Sequence, residues 1–505
     1  MEKIMTKTQK DDRAAWAARA EALRPQGQAL IGGRFVEAAS GRSFAALSPI
    51  DGRVLTQVAA GDAEDADRAV KSARAAFESG VWAKRPPRAR KRTLIRFAEL
   101  IRAHREELAL LETLDMGKPI AMSLAVDVRA AADAIQWSAE AIDKLYDEIA
   151  PTEPNVLALI RREPLGVVAA VTPWNFPMIM AAWKIGPALA LGNSVILKPA
   201  EQSSLTAIRL GGLALEAGIP EGVFNVLPGF GHEAGKALGL HMDVDGAFFT
   251  GSTEVGRMFA RYSADSNLKK IGLELGGKSP FVVLASSRHL DAAAQSVVDG
   301  IFFNQGEMCT ASSRLIAEDS IREELMEKVL EKARAYKPGD PLDPETNLGT
   351  LVDAAHTRRV LDYIASGEAE GARLALGGGR PAGLSGECYV EPTVFDQARP
   401  EMKIAREEIF GPVLTVLAAK DPEEALRLAN DSSYGLGAAV WSDDLTTAHR
   451  FAAGLRAGVV SVNAYDEDDM TTPFGGYKQS GWGRDKSLHA FEKYAELKTI
   501  WMRLR

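Results

Sequence analysis

GVVAAVTPWNFPMIMAAWKIGPALALGNSVILKPA, residues 166–200, decides the fold. Its first apolar run, GVVAAVT, reads as a strand buried on both faces. Pro177 suits the first turn of a helix, where its missing N–H costs nothing. The apolar run NSVILKPA then reads as a second strand. Strand, helix, strand is a βαβ unit, and such units build parallel sheets covered by helices.

The same rhythm continues outward. SLTAIRLGGLALEAG predicts a helix, GVFNVL a strand, HEAGKAL a helix and DGAFFT a strand. A second alternating set begins near KSPFVVL and ends near SVNAY, with PGDPLDPETNLG (338–349) as a turn-rich loop inside it. Towards the N-terminus the chain reads as a short extended entry and a hairpin in QALIGGRFVEA. The helices DAEDADRAVKSARAAFESG and RKRTLIRFAELIRAHREELALLETLDMGKP follow. LHAFEKYAELKTIWMRLR predicts a helix and then an apolar strand, which must find a sheet edge in its own subunit or in a partner.

Composition narrows the function classes. The 505 residues exceed one ordinary core, so more than one domain is expected. A net charge of −8 without a basic stripe argues against nucleic acid. No apolar run approaches the ~18 residues of a membrane span, and the charged N-terminus lacks a signal-peptide core. Two cysteines make neither a disulfide framework nor a Cys-rich zinc site, so a cytoplasmic protein is expected. The seven histidines include no HxxxH pair, so no metal is expected.

Five stretches carry chemistry. FFNQGEMCTASSR (302–314) sets Cys309 among Asn304, Gln305, Thr310, Ser312 and Ser313, an escort that an inert core thiol does not need. An unassisted thiol is only a few per cent thiolate at neutral pH, so Cys309 alone reads more readily as an inert core cysteine. TPWNFPM (172–178) places Asn175 between a strand end and a helix start, where its amide can bind an oxyanion or cap the helix. ILKPAEQS (196–203) ends a strand with Lys198 and Glu201, and a carboxylate there can hold a ribose diol. FTGSTEVG (249–256) offers Ser252 or Thr253 as the cap of a phosphate-facing helix. LELGGKSP (273–280) carries Glu274, a candidate general base, beside a Gly-Gly pair that admits close backbone approach. PGFGHEAG (228–235) lacks the spacing of a dinucleotide fingerprint. Cys388 matches no motif and reads as structural.

In this order the five stretches resemble the aldehyde dehydrogenase superfamily, and so do EEIFGPV (407–413), NDSSYGLGAAVWS (430–442) and PFGGYKQSGWGRD (473–485). The resemblance runs from about residue 25 to the C-terminus. It implies an α/β fold: a Rossmann-like cofactor domain (1–146 and 164–277), an α/β catalytic domain (278–478) and a small β oligomerisation arm. The arm would join residues 147–163 to the strand of the C-terminal segment 479–505. It implies Cys309 as nucleophile, with Asn175 and the Cys309 N–H as oxyanion hole. Glu274 would be the base, with Lys184 among the catalytic groups. Thr172, Trp174, Lys198, Glu201, Gly231, Ser252, Thr253, Leu275, Gly276, Glu408 and Phe410 would line a site for NAD, with NADP also possible. The partner would be a small aldehyde, and the chain a homo-oligomer, dimer or tetramer.

Phe176, Met180, Trp183 and Lys184 fall on one stripe of the helix after Pro177, and with Phe303, Met308 and Phe474 suggest an apolar tunnel. NAYDEDDMTTPFGG (463–476) adds consecutive carboxylates, among them Asp466 and Asp468, at the expected entrance. An acidic mouth favours an aldehyde with a distant amine or guanidine. The stretch also resembles the aminoaldehyde branch of the family, which acts on gamma-glutamyl-gamma-aminobutyraldehyde, 4-aminobutyraldehyde or 4-guanidinobutyraldehyde in polyamine and arginine catabolism. A broad-range aliphatic or succinate semialdehyde dehydrogenase is the alternative. A Cys-dependent hydrolase would need a paired histidine, and no motif has one.

Overall fold

The computed structural model describes residues 12–505 except 466 and 468. The two predicted alternating sets form two separate sheets. In the first, the strands Lys270–Glu274, Gly246–Thr250, Val167–Val171, Ser194–Lys198 and Phe224–Val226 lie side by side and parallel. Gly481–Trp482 closes one edge antiparallel, and the hairpin Ala29–Ile31/Arg34–Val36 closes the other. Val167–Val171 and Ser194–Lys198 are buried at every position, as continuous apolar runs covered on both faces must be. The second sheet runs Arg373–Leu376, Thr393–Asp396, Val413–Ala419, Arg314–Glu318, Pro280–Val283, Gly437–Trp441, Val459–Val462, parallel except at its first pair.

A third, three-stranded sheet joins Ala495–Arg503, Val156–Pro164 and Glu148–Ala150 antiparallel. Among the described residues no helix is long and apolar enough to cross a membrane.

Three local expectations change. The entry is not wholly extended: Arg13–Ala22 is a helix capped by Asp12, whose carboxylate accepts the Ala15 N–H, and it buries Trp16 and Ala20. The long helical stretch divides at His104 into Pro87–Ala103 and Arg105–Met116. Glu106 and Glu107 in the first turn of the second helix favour that new start, because its N-terminus is electropositive. The segment before the last strand, Leu488–Tyr494, is a tight 3₁₀ helix.

The site lies where the C-terminal ends of the first sheet's parallel strands meet the loop leading into Arg314–Glu318. Ligands of open α/β sheets gather at such ends.

Candidate active site

The loop before Cys309 is unusually wound. Asn304, Gln305 and Gly306 take successive left-handed conformations, φ 48°, 57° and 73°. Each non-glycine residue there costs roughly 1 kcal/mol or more, so the loop needs outside anchors. The Asn304 amide donates to Asn175 O at 3.1 Å and to Glu307 O at 3.0 Å. The Gln305 side-chain oxygen accepts the Gly349 N–H at 3.1 Å. Gly306 is required by space, since a Cβ there would stand 2.2 Å from Gly411 O. The result presents Cys309 half-buried.

Asn175 follows the strand Val167–Val171 and is buried. Its amide donates to Glu307 O at 2.9 Å. A primary amide carries two N–H groups, so one orders the cysteine loop while the other can serve a developing oxyanion. Gly277 fixes the opposite side: a Cβ on it would lie 2.2 Å from Cys309 O. Cys309 is thus pinned between two strand ends of the first sheet.

Glu274 ends the strand Lys270–Glu274 and is 5% exposed. Neither carboxyl oxygen has a hydrogen-bond partner. Burial, and next the Asp485 carboxylate, push it well above the usual carboxylate range, against Lys493, Lys184 and Arg484. A base must be able to hold a proton, and this setting provides that. Lys184 does not turn to the tunnel wall: its ammonium lies 3.4 Å from Asp485 Oδ2. Burial lowers the Lys184 pKa, with Lys493 adding to the effect and Asp485 opposing it.

A second group of residues surrounds a slot beside the thiol. Gly277 N–H donates to Glu408 Oε1 at 2.8 Å, and a Cβ on Gly276 would stand 2.1 Å from Glu408 Oε2. Burial raises the Glu408 carboxyl to about 7 despite that N–H and the nearby Lys278. The Trp174 ring meets those of His356 and Phe410 at 5.2 and 5.3 Å. Phe410 is held at φ 61°, with His356 Nε2 2.7 Å from its carbonyl. Burial lowers the His356 pKa, so the ring is neutral and its Nε2–H donates.

Farther along the same edge, buried Lys198 donates to Pro199 O at 2.8 Å and lies 3.4 Å from the half-exposed Glu201 carboxylate. Thr172 N–H donates to Lys198 O at 3.1 Å, tying these two strand ends together. Gly235 approaches the Lys198 stem, and a Cβ on Gly231 would meet nothing within 4 Å. Ser252 caps the helix Thr253–Ala264 by accepting the Val255 N–H, and Thr253 reaches Gln479 O at 3.5 Å. Leu275 packs where Gly256 leaves room. Aromatic faces, a carboxylate at the Gly-Gly pair, a second carboxylate past a strand end and an open helix start fit a dinucleotide.

The predicted tunnel residues pair across the site. Phe176 stacks on Phe303 with centroids 6.2 Å apart, and Trp183 meets Phe474 at 5.2 Å. Met180 is buried beside them, and Met308 is half-buried with its sulfur 3.7 Å from the Tyr465 hydroxyl. Asp466 and Asp468 lie outside the described residues. Their neighbour Asp469 closes a turn, its Oδ1 accepting the Thr471 N–H and hydroxyl at 2.8 and 2.6 Å. Sequence reasoning missed Asn304, His356, Tyr465 and Asp485 as site groups. Asp485 is the last residue of the quoted PFGGYKQSGWGRD, whereas His356 lies in a helix that carries no recognised motif.

The model of the aldehyde dehydrogenase family matches residues 35–500. The NADP/NAD-dependent aldehyde dehydrogenase PuuC of Escherichia coli is 52% identical, over 97% of this chain and 98% of its own. The AldA indole-3-acetaldehyde dehydrogenase of P. syringae, solved with NAD+ and IAA, is 57% identical at a TM-score of 0.97, over 98% and 100%. The gamma-glutamyl-gamma-aminobutyraldehyde dehydrogenase of Burkholderia cenocepacia is 56% identical at a TM-score of 0.96, over the same shares.

Proposed function

We propose, from the premise that this chain belongs to the aldehyde dehydrogenase family and oxidises aldehydes with NAD(P), that Cys309, Asn175 and Glu274 carry the reaction on an amine-derived aldehyde. The observation that supports these roles is their junction: the Cys309 loop is tied to Asn175 through Glu307 O, and Glu274 ends a strand of the same sheet edge.

The chemistry follows from the groups. Cys309 Sγ, as thiolate, attacks the aldehyde carbon and forms a C–S bond. The carbonyl oxygen becomes an oxyanion, held by the Asn175 amide and the Cys309 N–H; one such donor typically lowers a barrier by about 3–4 kcal/mol. Trp174, Phe410, Glu408, Lys198 and Glu201 would hold NAD(P), which when bound would supply the acceptor for the hydride that leaves this carbon. The carbon is then a thioester on Cys309. Glu274 takes a proton from water while the water oxygen attacks that carbon. The C–S bond breaks, the thiolate is restored and a carboxylic acid leaves. Gly231, Ser252, Thr253, Thr172, Leu275 and Gly276 shape the cofactor's path. Glu201 favours the free 2′-hydroxyl of NAD, and Lys198 beside it leaves NADP usable.

For the substrate, the acidic stretch 466–469 suits a cationic or polar tail, and the paired rings suit the methylene chain between tail and aldehyde. The Burkholderia enzyme, a gamma-glutamyl-gamma-aminobutyraldehyde dehydrogenase, supports an amine-derived aldehyde. The same rings also admit a flat aromatic aldehyde, the class that AldA's title names. On this reading residues 1–146 with 164–277 bind cofactor, 278–478 form the catalytic unit and the three-stranded sheet joins subunits of a cytoplasmic homo-oligomer.

The test is initial-rate oxidation of gamma-glutamyl-gamma-aminobutyraldehyde, 4-aminobutyraldehyde, 4-guanidinobutyraldehyde, succinate semialdehyde, propanal and indole-3-acetaldehyde, each with NAD and NADP. The amine-derived set is expected to give kcat/KM at least tenfold above the others, a margin of about 1.4 kcal/mol in the transition state. Neutralising Asp466 to Asp469 should erase that margin. A flat profile overturns the substrate reading and leaves a broad-range enzyme.

A further inference from the structure

Asp485 carries two ammonium groups rather than one. Its side chain is fully buried, with Lys184 Nζ 3.4 Å from Oδ2 and Lys493 Nζ 2.5 Å from Oδ1. The two lysines arrive from different elements: Lys184 from the helix Pro177–Leu191, Lys493 from the 3₁₀ helix Leu488–Tyr494. Backbone bonds to Phe474 at 2.8 and 2.7 Å hold Asp485 in place. The Lys493 ammonium also lies over the Tyr494 and Phe248 rings, 5.4 and 5.7 Å from their centroids. A lysine needs little of this to stabilise a fold. A mostly buried lysine beside an already paired carboxylate calls for another reason.

Charge balance supplies one. Glu274 adjoins this cluster: a Cβ on Gly475, the residue after Phe474, would stand 2.9 Å from Glu274 Oε1 and from Arg484 Cδ. The groups acting on Glu274 are Asp485, Lys493, Lys184 and Arg484, and Tyr494 feels both carboxylates. Burial, then Asp485 and Glu274, hold the Tyr494 hydroxyl protonated, so it is a bystander. Lys486 lies over the Trp183 ring at 5.5 Å, and Lys270 lies 2.9 Å from Glu496. Arg484 is only partly buried, so with one buried lysine, ionising Glu274 beside Asp485 would leave the fully buried groups net negative, which low dielectric penalises. With two, the ionised cluster is neutral.

We propose that Lys493 is a positioning residue: by pairing with Asp485 it supplies the second positive charge that lets Glu274 ionise and draw the proton from water. This rests on Glu274 being the base. Burial alone would raise Asp485, yet Lys184 and Lys493 hold it below its ordinary value, in keeping with a permanently charged Asp485 that Lys493 must offset.

Hydrolysis of 4-nitrophenyl acetate tests it with the whole enzyme. Cys309 Sγ attacks the ester carbon and nitrophenolate leaves in a burst that counts working thiols. The steady rate then reports water's attack on the acetyl thioester. Lys493→Met and Lys493→Gln should move the acid limb of the steady-rate pH profile up by about one unit, the effect of one nearby charge at an effective dielectric near 20. On that limb deacylation should be about tenfold slower per burst site, with burst amplitude kept. Lys493→Arg should keep the limb in place. Because rates are read per burst site, partial unfolding does not imitate the shift, and Lys493→Gln preserves a hydrogen-bonding side chain if Lys493→Met folds poorly. An unmoved limb in Lys493→Gln, while Glu274→Gln stops the steady rate after a normal burst, overturns the role of Lys493 alone. A steady rate that survives Glu274→Gln overturns the base assignment beneath it.

Discussion

Asn175 illustrates how much one side chain is asked to do. Its amide donates to Glu307 O, and Asn304 reaches back to Asn175 O, so the residue orders the cysteine loop besides its proposed oxyanion role. Truncation should therefore lose an oxyanion donor and loosen the loop. Asn175→Ala should lower kcat/KM by about 10²–10³, the usual cost of one oxyanion donor. The melting temperature should fall by only a few degrees, since a single buried hydrogen bond contributes about 1 kcal/mol. The rate of Cys309 alkylation by iodoacetamide separates the two duties. A rate within a few-fold of the parent assigns the loss to the oxyanion; a collapse in that rate assigns it to the loop.

At the scale of elements, the Gly-Gly pair after Lys270–Glu274 is a spacer between Glu408 and the Cys309 loop. Gly276 lies against Glu408 and Gly277 against the Cys309 carbonyl. A methyl at 277 would stand 2.2 Å from backbone oxygen, and backbone cannot swing away as a flexible side chain can. Gly277→Ala should thus displace the Cys309 loop, with a stability cost of about 1–3 kcal/mol for overpacking. It should also lower activity at least a hundredfold, because misplacement of about 1 Å is enough for that. Near-parental kcat/KM in a folded Gly277→Ala protein would show that the loop adapts.

The same elements explain what the sequence made legible. Strand ends, the proline at the helix start and the Gly-Gly pair are local signals, and Asn175, Glu274 and Cys309 each sit inside one. The pairing of Asp485 with its lysines is not local: Lys184 and Asp485 are 301 residues apart and meet only through folding. His356 reaches Phe410 from a helix that carries no recognised motif. Spacing cannot announce such partners, because tertiary contact rather than periodicity creates them. The break at His104 was hidden for the opposite reason: both halves carry good helical periodicity, and only the start of a second helix separates them.

For the whole molecule, the decisive surface is the three-stranded sheet. The strand Ala495–Arg503 is paired with Val156–Pro164 along its full length, so its backbone is served on that side. Its side chains are not: Leu497 and Trp501 are 64% and 67% exposed, and Leu504 just past its end is 54% exposed. Tyr146 and Ile149 add exposed apolar groups at the third strand, Ile149 on the face opposite Trp501. Large apolar groups gathered on an edge sheet mark an interface, and burying one such side chain is worth about 1.5–3 kcal/mol. The proposed homo-oligomer therefore depends on this surface. In light scattering after size exclusion, the parent protein should run as a dimer or tetramer. Leu497→Glu with Trp501→Glu should reduce the mass, because each carboxylate would be buried unpaired if the interface formed. The far-ultraviolet circular dichroism spectrum should be unchanged, since the substituted side chains are exposed in the single chain. A monomeric parent, or a double variant of unchanged mass, would remove the sheet from the assembly.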